Sequence, residues 1–370
     1  MSTAAAAVEV AVEGLDVSVY EIPTDAPESD GTLEWESTTI VVVEAHGGSE
    51  RGLGYTYTDG SAGALVESKL APVVRGRNAL DVGAAWEAMS AALRNVGRPG
   101  LGFMALSAVD VALWDLKARL LDVPLVGLLD AGHDAVPIYG SGGFTSYTLA
   151  RIREQLGGWV ADGVPRVKMK ISRDPDEDPA RLTAAREAIG PDAELYVDSN
   201  GALGRKQALA WAERLRDEWD VRWFEEPVSS DDLAGLRLVR DRTPGGVDIA
   251  AGEYGDVLAY FERMLATGAV DCLQADVTRC GGITGVRAVG AVAAAHEIDL
   301  SAHCAPAVSA HAVSGIRRLR HLEYFHDHVR LEALLFDGVL RPEDGVLRPD
   351  RSRPGLGLEL KRADAEEYRL

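Results

Sequence analysis

The sequence predicts an α/β protein: a closed parallel β/α barrel accompanied by a smaller α+β domain. Three observations carry that expectation. From about residue 136 to about residue 330, short strand-like runs alternate with helical ones, the pattern of a parallel sheet. Seven segments there are mostly apolar and stop on a charged or imidazole side chain, at intervals from 20 residues (His303 to Glu323) to 30 (Lys168 to Asp198). The 370 residues are too many for one ordinary core and suit a barrel of about 250 residues with a companion domain. Seven or eight strands fit, which favours closure over an open sheet.

The elements follow in chain order. Residues 7–20 largely alternate and 38–44 are β-branched, so both read as strands of an antiparallel sheet with one wet face. Between them, 21–35 reads as a polar loop carrying Pro23, Pro27 and several acids, and 52–58 as the start of a turn-rich stretch. From 61 to 128 the pattern is helical, with 84–95 amphipathic and 105–120 apolar at helical spacing. Strands followed by helices make residues 1–132 an α+β domain. The barrel is expected over 133–330, opening at Val136-Pro137-Ile138-Tyr139-Gly140, with helices near 148–156, 179–189, 205–217, 230–241 and 285–297. The segment 331–370, rich in Pro and Gly to Gly357, is expected to return and cover the first domain.

Composition excludes several function classes. Apolar residues at 46% and charged residues at 26% describe a globular chain. A net charge of −20 argues against nucleic acid and anionic membrane as partners, so an anionic substrate needs local positive charge to enter. Three cysteines without a close pair argue against a disulfide framework or a cysteine zinc site, and a reducing cytoplasm is the expected location. The Met1-Ser2-Thr3 start has no basic region, so no signal peptide is expected, and no run of 18 apolar residues suggests a membrane span.

The seven stops are the candidate chemistry. A β/α barrel gathers its reacting groups at the C-terminal ends of its strands, so side chains far apart in sequence would converge. Asp198, Glu225 and Glu253 each follow a strand-like run on consecutive β/α units. Hard oxygen ligands from separate strands suit Mg²⁺, whereas single acids there often only cap helices. Lys168 and Lys170 flank Met169, and period two puts both ammonium groups on one strand face. Arg166 shares that parity but sits deeper. A lysine desolvated beside a cation has its ammonium disfavoured and becomes a usable base. Asp276 and His303 end adjacent strands, where a carboxylate would fix the imidazole tautomer. Glu323 reads either as a buried protonated donor to an oxyanion or as a salt-bridge partner.

Other features carry plainer readings. His326-Asp327-His328 has the form of a zinc-hydrolase motif but lacks further histidines on following strands. Gly281-Gly282-Ile283-Thr284-Gly285 reads as a tight turn starting a helix, more than as a phosphate cradle. Cys304 is expected on the strand face opposite His303, as packing, and His311 and His321 as structural.

The ordered set Lys168-Met169-Lys170, Val197-Asp198-Ser199-Asn200, Phe224-Glu225-Glu226-Pro227, Ala251-Gly252-Glu253, Asp276-x-x-Arg279-x-Gly281-Gly282-Ile283-Thr284 and Ser301-Ala302-His303 resembles the enolase superfamily, specifically its mandelate racemase/muconate lactonizing branch. Asp276 stands where the muconate lactonizing subgroup has a lysine, so the likeness is to the mandelate racemase subgroup. The resemblance implies a modified TIM-type (β/α)7β barrel with an α+β capping domain built from the N-terminal segment and the C-terminal tail. It implies that Asp198, Glu225 and Glu253 bind Mg²⁺, and that Lys170 and His303 flank opposite faces of a small carboxylate substrate. Lys168 and Glu323 would contact the substrate's carboxylate oxygens, and Asn200 resembles a substrate-contacting position. Loops near 21–36 and 52–60 resemble those that close such sites. A homo-oligomer is expected from the same likeness.

The chemistry implied is Mg²⁺-assisted removal of the proton α to a carboxylate, as superfamily members do with Lys or His bases. A β-hydroxyl would then leave as water, making an acid-sugar dehydratase acting on an aldonate or aldarate. Without a leaving group the second base reprotonates the other face, making a racemase or epimerase. A non-catalytic metal- and ligand-binding module is the rival from another class, and a zinc hydrolase a further one.

Overall fold

The computed structural model describes residues 9–370; the Met1 start and residues 7 and 8 of the first expected strand lie outside the described residues. Three antiparallel strands open the chain in the order β1 (Gly14–Ser29), β2 (Glu34–Gly47) and β3 (Glu50–Tyr57). The polar loop expected at 21–35 is instead mostly strand. β1 continues to Ser29, its pairing with β2 shifts register between Pro23 and Glu28, and only a tight turn at 30–33 joins them. Pro23 and Pro27 bracket or sit within that irregular stretch, where no ladder N–H is needed.

The turn-rich reading of 52–58 also gives way, because residues 52–57 lie in β3. Gly52 and Gly54 are not turn residues: a Cβ on either would lie 2.1 and 2.2 Å from the carbonyl oxygens of Ala112 and Ala108. Both carbonyls belong to the long helix of the cap, which lies directly on the strand. The cap helices are α1 (Ser61–Leu65), a π turn (Val66–Leu70), α2 (Ala71–Val74), α3 (Val82–Ala92), α4 (Leu101–Leu120) and α5 (Leu125–Leu128). α4 is apolar on almost every side because β2 and β3, α3 and the barrel all pack on it.

Eight parallel strands then close a barrel: β4 (Val136–Gly142), β5 (Arg166–Lys170), β6 (Glu194–Asp198), β7 (Val221–Glu225), β8 (Asp248–Ala251), β9 (Cys272–Asp276), β10 (Asp299–His303) and β11 (Leu319–Phe325), with β11 pairing back to β4. Seven helices cross between them: α6 (Leu149–Ala161), α7 (Asp178–Ile189), α8 (Arg205–Trp219), α9 (Leu233–Arg242), α10 (Leu258–Thr267), α11 (Gly282–Ala295) and α12 (Pro306–Val313). This is the (β/α)7β form, followed by α13 (His326–Leu335). The lower end of the barrel is plugged by Tyr139, Tyr196 and Trp223 with His321 against them, so it is a packed core and not a pore. Arg166 lies at this lower end and pairs with Glu194 at 3.2 Å.

Cap and barrel are joined by buried polar contacts. Ser107 Oγ on α4 accepts the N–H groups of Gly281 and Gly282 at 2.9 and 3.0 Å, and Asp110 Oδ2 accepts that of Thr284 at 2.9 Å. The glycine-rich turn therefore spends its free donors on α4, which leaves a phosphate nothing to bind. The C-terminal residues run back along both parts. Leu356 N–H donates to Asp115 on α4 at 2.6 Å, and Leu53 N–H of β3 donates to the same carboxylate at 2.7 Å. Arg369 bridges Tyr20 of β1. No helix of the described residues is long and apolar enough to cross a membrane.

Candidate active site

Strand register delivers the site residues in a ring. Lys170 pairs with Asp198 across β5 and β6, Asp198 with Glu225 across β6 and β7, and Asp276 with His303 across β9 and β10. Glu253 lies two residues beyond β8; between them Gly252, at φ +134°, passes so near Gln274 that a Cβ would sit 2.1 Å from its carbonyl oxygen. Glu323 departs from the expected strand stop, because β11 runs on to Phe325. Several strands turn sharply just past their ends: Ser172, Asn200, Glu226, Cys304 and Ala305 all have positive φ. Such conformations are costly for side-chain-bearing residues and gather at functional sites.

Asp198, Glu225 and Glu253 are fully or nearly fully buried, and each offers an oxygen within 4.8 Å of the others. Burial, and then the neighbouring Asp198, pushes Glu225 up to about 8, against the pull of Lys168. Glu253 Oε2 is buried, with His303 Nε2 facing it at 3.1 Å. Three crowded, buried oxygens of this kind fit a hard divalent cation. Trp223, one layer below, donates its indole N–H to Glu225 Oε2 at 2.8 Å and sets that carboxylate's orientation.

Both lysines point into the barrel, while Met169 packs outward in the core. Lys168 Nζ lies 2.6 Å from Glu225 Oε1 and 2.8 Å from Glu323 Oε1. Lys170 Nζ lies 2.5 Å from Asp198 Oδ2. Burial alone would favour neutral amines, but these carboxylates outweigh it and hold both ammonium groups above their ordinary range. Glu323 corrects one of the two sequence readings. Burial would keep it protonated, yet Lys168 and then His303 hold it well below the usual carboxylate range, so it is an anionic salt-bridge partner.

His303 Nδ1 lies 2.7 Å from Asp276 Oδ2, and its Nε2 faces the cavity 3.1 Å from Glu253 Oε2. Asp276 also accepts the backbone N–H and hydroxyl of Thr278, each at 2.7 Å, which fixes the carboxylate that fixes the ring. Burial disfavours the imidazolium, but Cys304, Glu253 and Glu323 with Asp276 raise His303 well above its ordinary value. Cys304 does not face away as expected. β10 ends at His303, and the left-handed turn at Cys304 and Ala305 swings the thiol to the cavity, 3.4 Å from His303 Nε2.

These groups line a cavity of about 760 Å³. Its floor includes Lys170, Asn200, Glu253 and His303; its upper wall comes from the cap, through Asp30, Leu33, Trp35, Thr38 and Tyr57. Asn200 Oδ1 is buried and unpartnered there. The histidines of the His-x-His motif part company: His328 stacks on Tyr57 at 3.5 Å, and His326 pairs with Asp25 at 3.1 Å. His311 is buried with neither ring nitrogen bonded, and His321 Nδ1 meets Ser301 Oγ at 2.8 Å. The residue patterns assigned no role to Arg279, whose Nη1 donates to the Glu253 carbonyl at 3.1 Å, or to Glu226, a buried acid that burial and Glu253 push well above the usual range. Arg279 had a legible signal, its i,i+3 spacing from Asp276 across the turn that follows β9; Glu226 had none beyond adjacency to Glu225.

The barrel and its ring of strand-end acids, lysines and histidine define an enolase-type enzyme, and comparison with known proteins places it further. The model for the mandelate racemase / muconate lactonizing enzyme N-terminal domain matches residues 16–130, and the enolase C-terminal domain-like model matches 151–365. The chain belongs to the mandelate racemase/muconate lactonizing enzyme family of the enolase superfamily. The 3,6-anhydro-alpha-L-galactonate cycloisomerase of Streptomyces coelicolor is 32% identical over 368 residues, 95% of this chain and 98% of that protein. The crystal structure of a mandelate racemase/muconate lactonizing enzyme-like protein from Rubrobacter xylanophilus matches with a TM-score of 0.96 at 62% identity, covering 97% of this chain and 100% of that one. L-talarate/galactarate dehydratase from Salmonella typhimurium LT2, solved with Mg and L-lyxarohydroxamate, matches with a TM-score of 0.90 at 27% identity, covering 100% of this chain and 95% of that one.

Proposed function

We propose that this enzyme removes the proton α to the carboxylate of an acid sugar, with Mg²⁺ held by Asp198, Glu225 and Glu253, and expels the oxygen on the β-carbon to leave a 2-keto-3-deoxy acid. The observation that carries the reading is a pair of proton-transfer groups, Lys170 and His303, on one cavity beside three clustered carboxylates. Binding alone needs no such pair. When bound, Mg²⁺ supplies fixed positive charge where the substrate carboxylate gains electrons as the proton leaves. Lys168, held as an ammonium, adds a second fixed charge on the same side. With Asp198 committed to a cation, Lys170 loses the ion pair that retains its proton and becomes a base near neutral pH. The α C–H electrons form the C=C bond of an enediolate as Lys170 or His303 takes the proton. The enediolate electrons then form the C2=C3 bond as the β C–O bond breaks, and its oxygen takes a proton from the imidazolium of His303, which Asp276 stabilises. The resulting enol tautomerises to the 2-keto acid by losing the proton of its 2-hydroxyl and gaining one at C3.

The upper wall narrows the substrate. Among the described residues Lys170 and Arg279 are the only lysine and arginine on the cavity, and Arg279 is engaged by the Glu253 carbonyl and lies 3.6 Å from Asp276. The far side carries Asp30, Asp59 and Asp327 with Thr38 and Thr39; Arg330 pairs with Asp327 at 2.9 Å, and the remaining acids suit hydroxyl donors better than a second carboxylate. An aldonate, or an anhydro form of one, fits that wall better than an aldarate. The relative named as a dehydratase supports elimination of water over racemisation.

The test is incubation with Mg²⁺ and a panel of aldonic and aldaric acids, scored for 2-keto acid and for optical rotation. Aldonates are expected to give keto acid with a kcat/KM at least about tenfold above matched aldarates, the discrimination of about 1.4 kcal/mol that one unpaired buried charge readily exceeds. Changed rotation without keto product would instead establish Lys170 and His303 as opposed bases of a racemase or epimerase. Faster turnover of aldarates would reject the reading of the upper wall.

A further inference from the structure

We propose that His303 Nε2, Cys304 Sγ and Glu323 Oε2 form a ready-made zinc site inside the catalytic cavity, and that Zn²⁺ bound there shuts the enzyme down. The three ligand atoms make a nearly equilateral triangle: nitrogen to sulfur 3.4 Å, nitrogen to oxygen 3.3 Å and sulfur to oxygen 3.3 Å. Tetrahedral Zn²⁺, with bonds of about 2.3 Å to sulfur and about 2.0–2.2 Å to nitrogen and oxygen, holds its ligands about 3.4–3.6 Å apart. The triangle therefore needs only tenths of an ångström of adjustment. All three residues are buried and all three line the cavity, so the fourth position opens onto the space where substrate binds.

The backbone holds the thiol in place. Cys304 and Ala305 turn through the left-handed region, at φ +49° and +44°, and Ser309 Oγ donates to the Cys304 carbonyl at 2.7 Å. In the free enzyme the thiol donates to Glu323; on zinc binding that proton and the one His303 carries on Nε2 as an imidazolium both go to solvent, so that sulfur coordinates as the thiolate and Nε2 through its freed lone pair. The donor set selects the ion. Sulfur and imidazole favour Zn²⁺ over Mg²⁺, whereas the all-oxygen triad of Asp198, Glu225 and Glu253 favours Mg²⁺, so the two ions can occupy separate places. Zinc would take the Nε2 lone pair of His303 and close the cavity floor to substrate. This blocking half rests on the proton-transfer role proposed for His303; the binding half does not.

Two measurements separate those halves. Co²⁺ added to Mg²⁺-saturated enzyme reads binding alone: a thiolate-to-cobalt charge-transfer band in the near ultraviolet is expected in the wild type, and is expected to vanish in Cys304→Ala and Cys304→Ser. Buffered Zn²⁺ in the Mg²⁺ assay reads blocking: inhibition reversed by chelator is expected, with the half-inhibitory concentration raised at least about tenfold in both variants, as losing a direct ligand should exceed the 10–100-fold cost typical of a supporting one. Thermal melts confirm that both variants are folded. No cobalt band overturns the site. A band with zinc sensitivity equal in wild type and variants overturns the blocking role.

Discussion

Trp223 and Glu225 are two residues apart on β7, and the indole N–H of the first donates to Oε2 of the second at 2.8 Å. Period two along the strand places both side chains in the barrel interior, one layer above the other. The indole thus holds one carboxylate oxygen and leaves Oε1 to Lys168 and the proposed cation. Supporting hydrogen bonds of this kind commonly carry 10–100-fold in metal affinity. Trp223→Phe should keep the aromatic plug and lose the bond, raising the Mg²⁺ concentration for half-maximal activity by about that factor. An unchanged Mg²⁺ titration would show that Glu225 needs no such support.

Asp276 holds the ring of His303 through Nδ1 at 2.7 Å and is itself held by Thr278. Asp276→Asn preserves the shape but presents either the wrong group or a neutral one to the ring. A fall of about 10²–10⁴-fold in kcat is expected, with KM little changed, as for a misassigned tautomer in a general base. Equal losses in kcat and in substrate affinity would place Asp276 in binding instead.

Glu28 lies buried at the seam of β1 with the barrel. Burial, then Asp327, pushes its carboxyl up to about 9, against the Trp35 indole that donates to it. The folded value is above the unfolded one, so the stabilisation it gives is complete below about pH 4.5 and is lost as pH rises toward 9. Glu28→Gln should match the wild type in thermal stability at pH 4.5 and exceed it progressively above, by more than about 1 kcal/mol at pH 9. Parallel stability curves for the two proteins would refute this.

Gly54 sits where α4 crosses β3. Because an added Cβ would meet the Ala108 carbonyl at 2.2 Å and the Ala112 nitrogen at 2.4 Å, the helix must lift off the strand to accept it. Gly54→Ala should cost about 1–3 kcal/mol, typical of overpacking a tight core, read as a lowered unfolding midpoint. Gly83→Ala, where a Cβ meets nothing within 4 Å, serves as the control expected to stay neutral or better.

Residue patterns carried the barrel further than they carried the cap. Five of the eight barrel strands, β5, β6, β7, β9 and β10, stop on a charged or imidazole side chain, and that repeating break is visible in one dimension. The strand ends Lys170, Asp198, Glu225, Asp276 and His303 also fall in register, so reading one correctly supports its neighbour. The cap misled for the opposite reason. Prolines and acids in 21–35 look like a loop because their role is to break pairing within a strand, and the glycines of 52–58 look like turns because their role is to admit a helix. Cys304 was misplaced because strand parity was extended one residue past the strand, where two left-handed residues cancel it. The ionisation of Glu323 was equally hidden, since it depends on Lys168 more than 150 residues away in sequence.

Asp115 gives the chain's last residues a structural meaning. One carboxylate on α4 receives the backbone of β3 and the backbone at Leu356 together, with Arg119 beside it at 2.9 Å. A chimera that transplants the cap of one relative onto the barrel of another must therefore carry the matching tail with it. Grafted without that tail, the new cap would bring a buried anion whose donor had been left behind on the recipient.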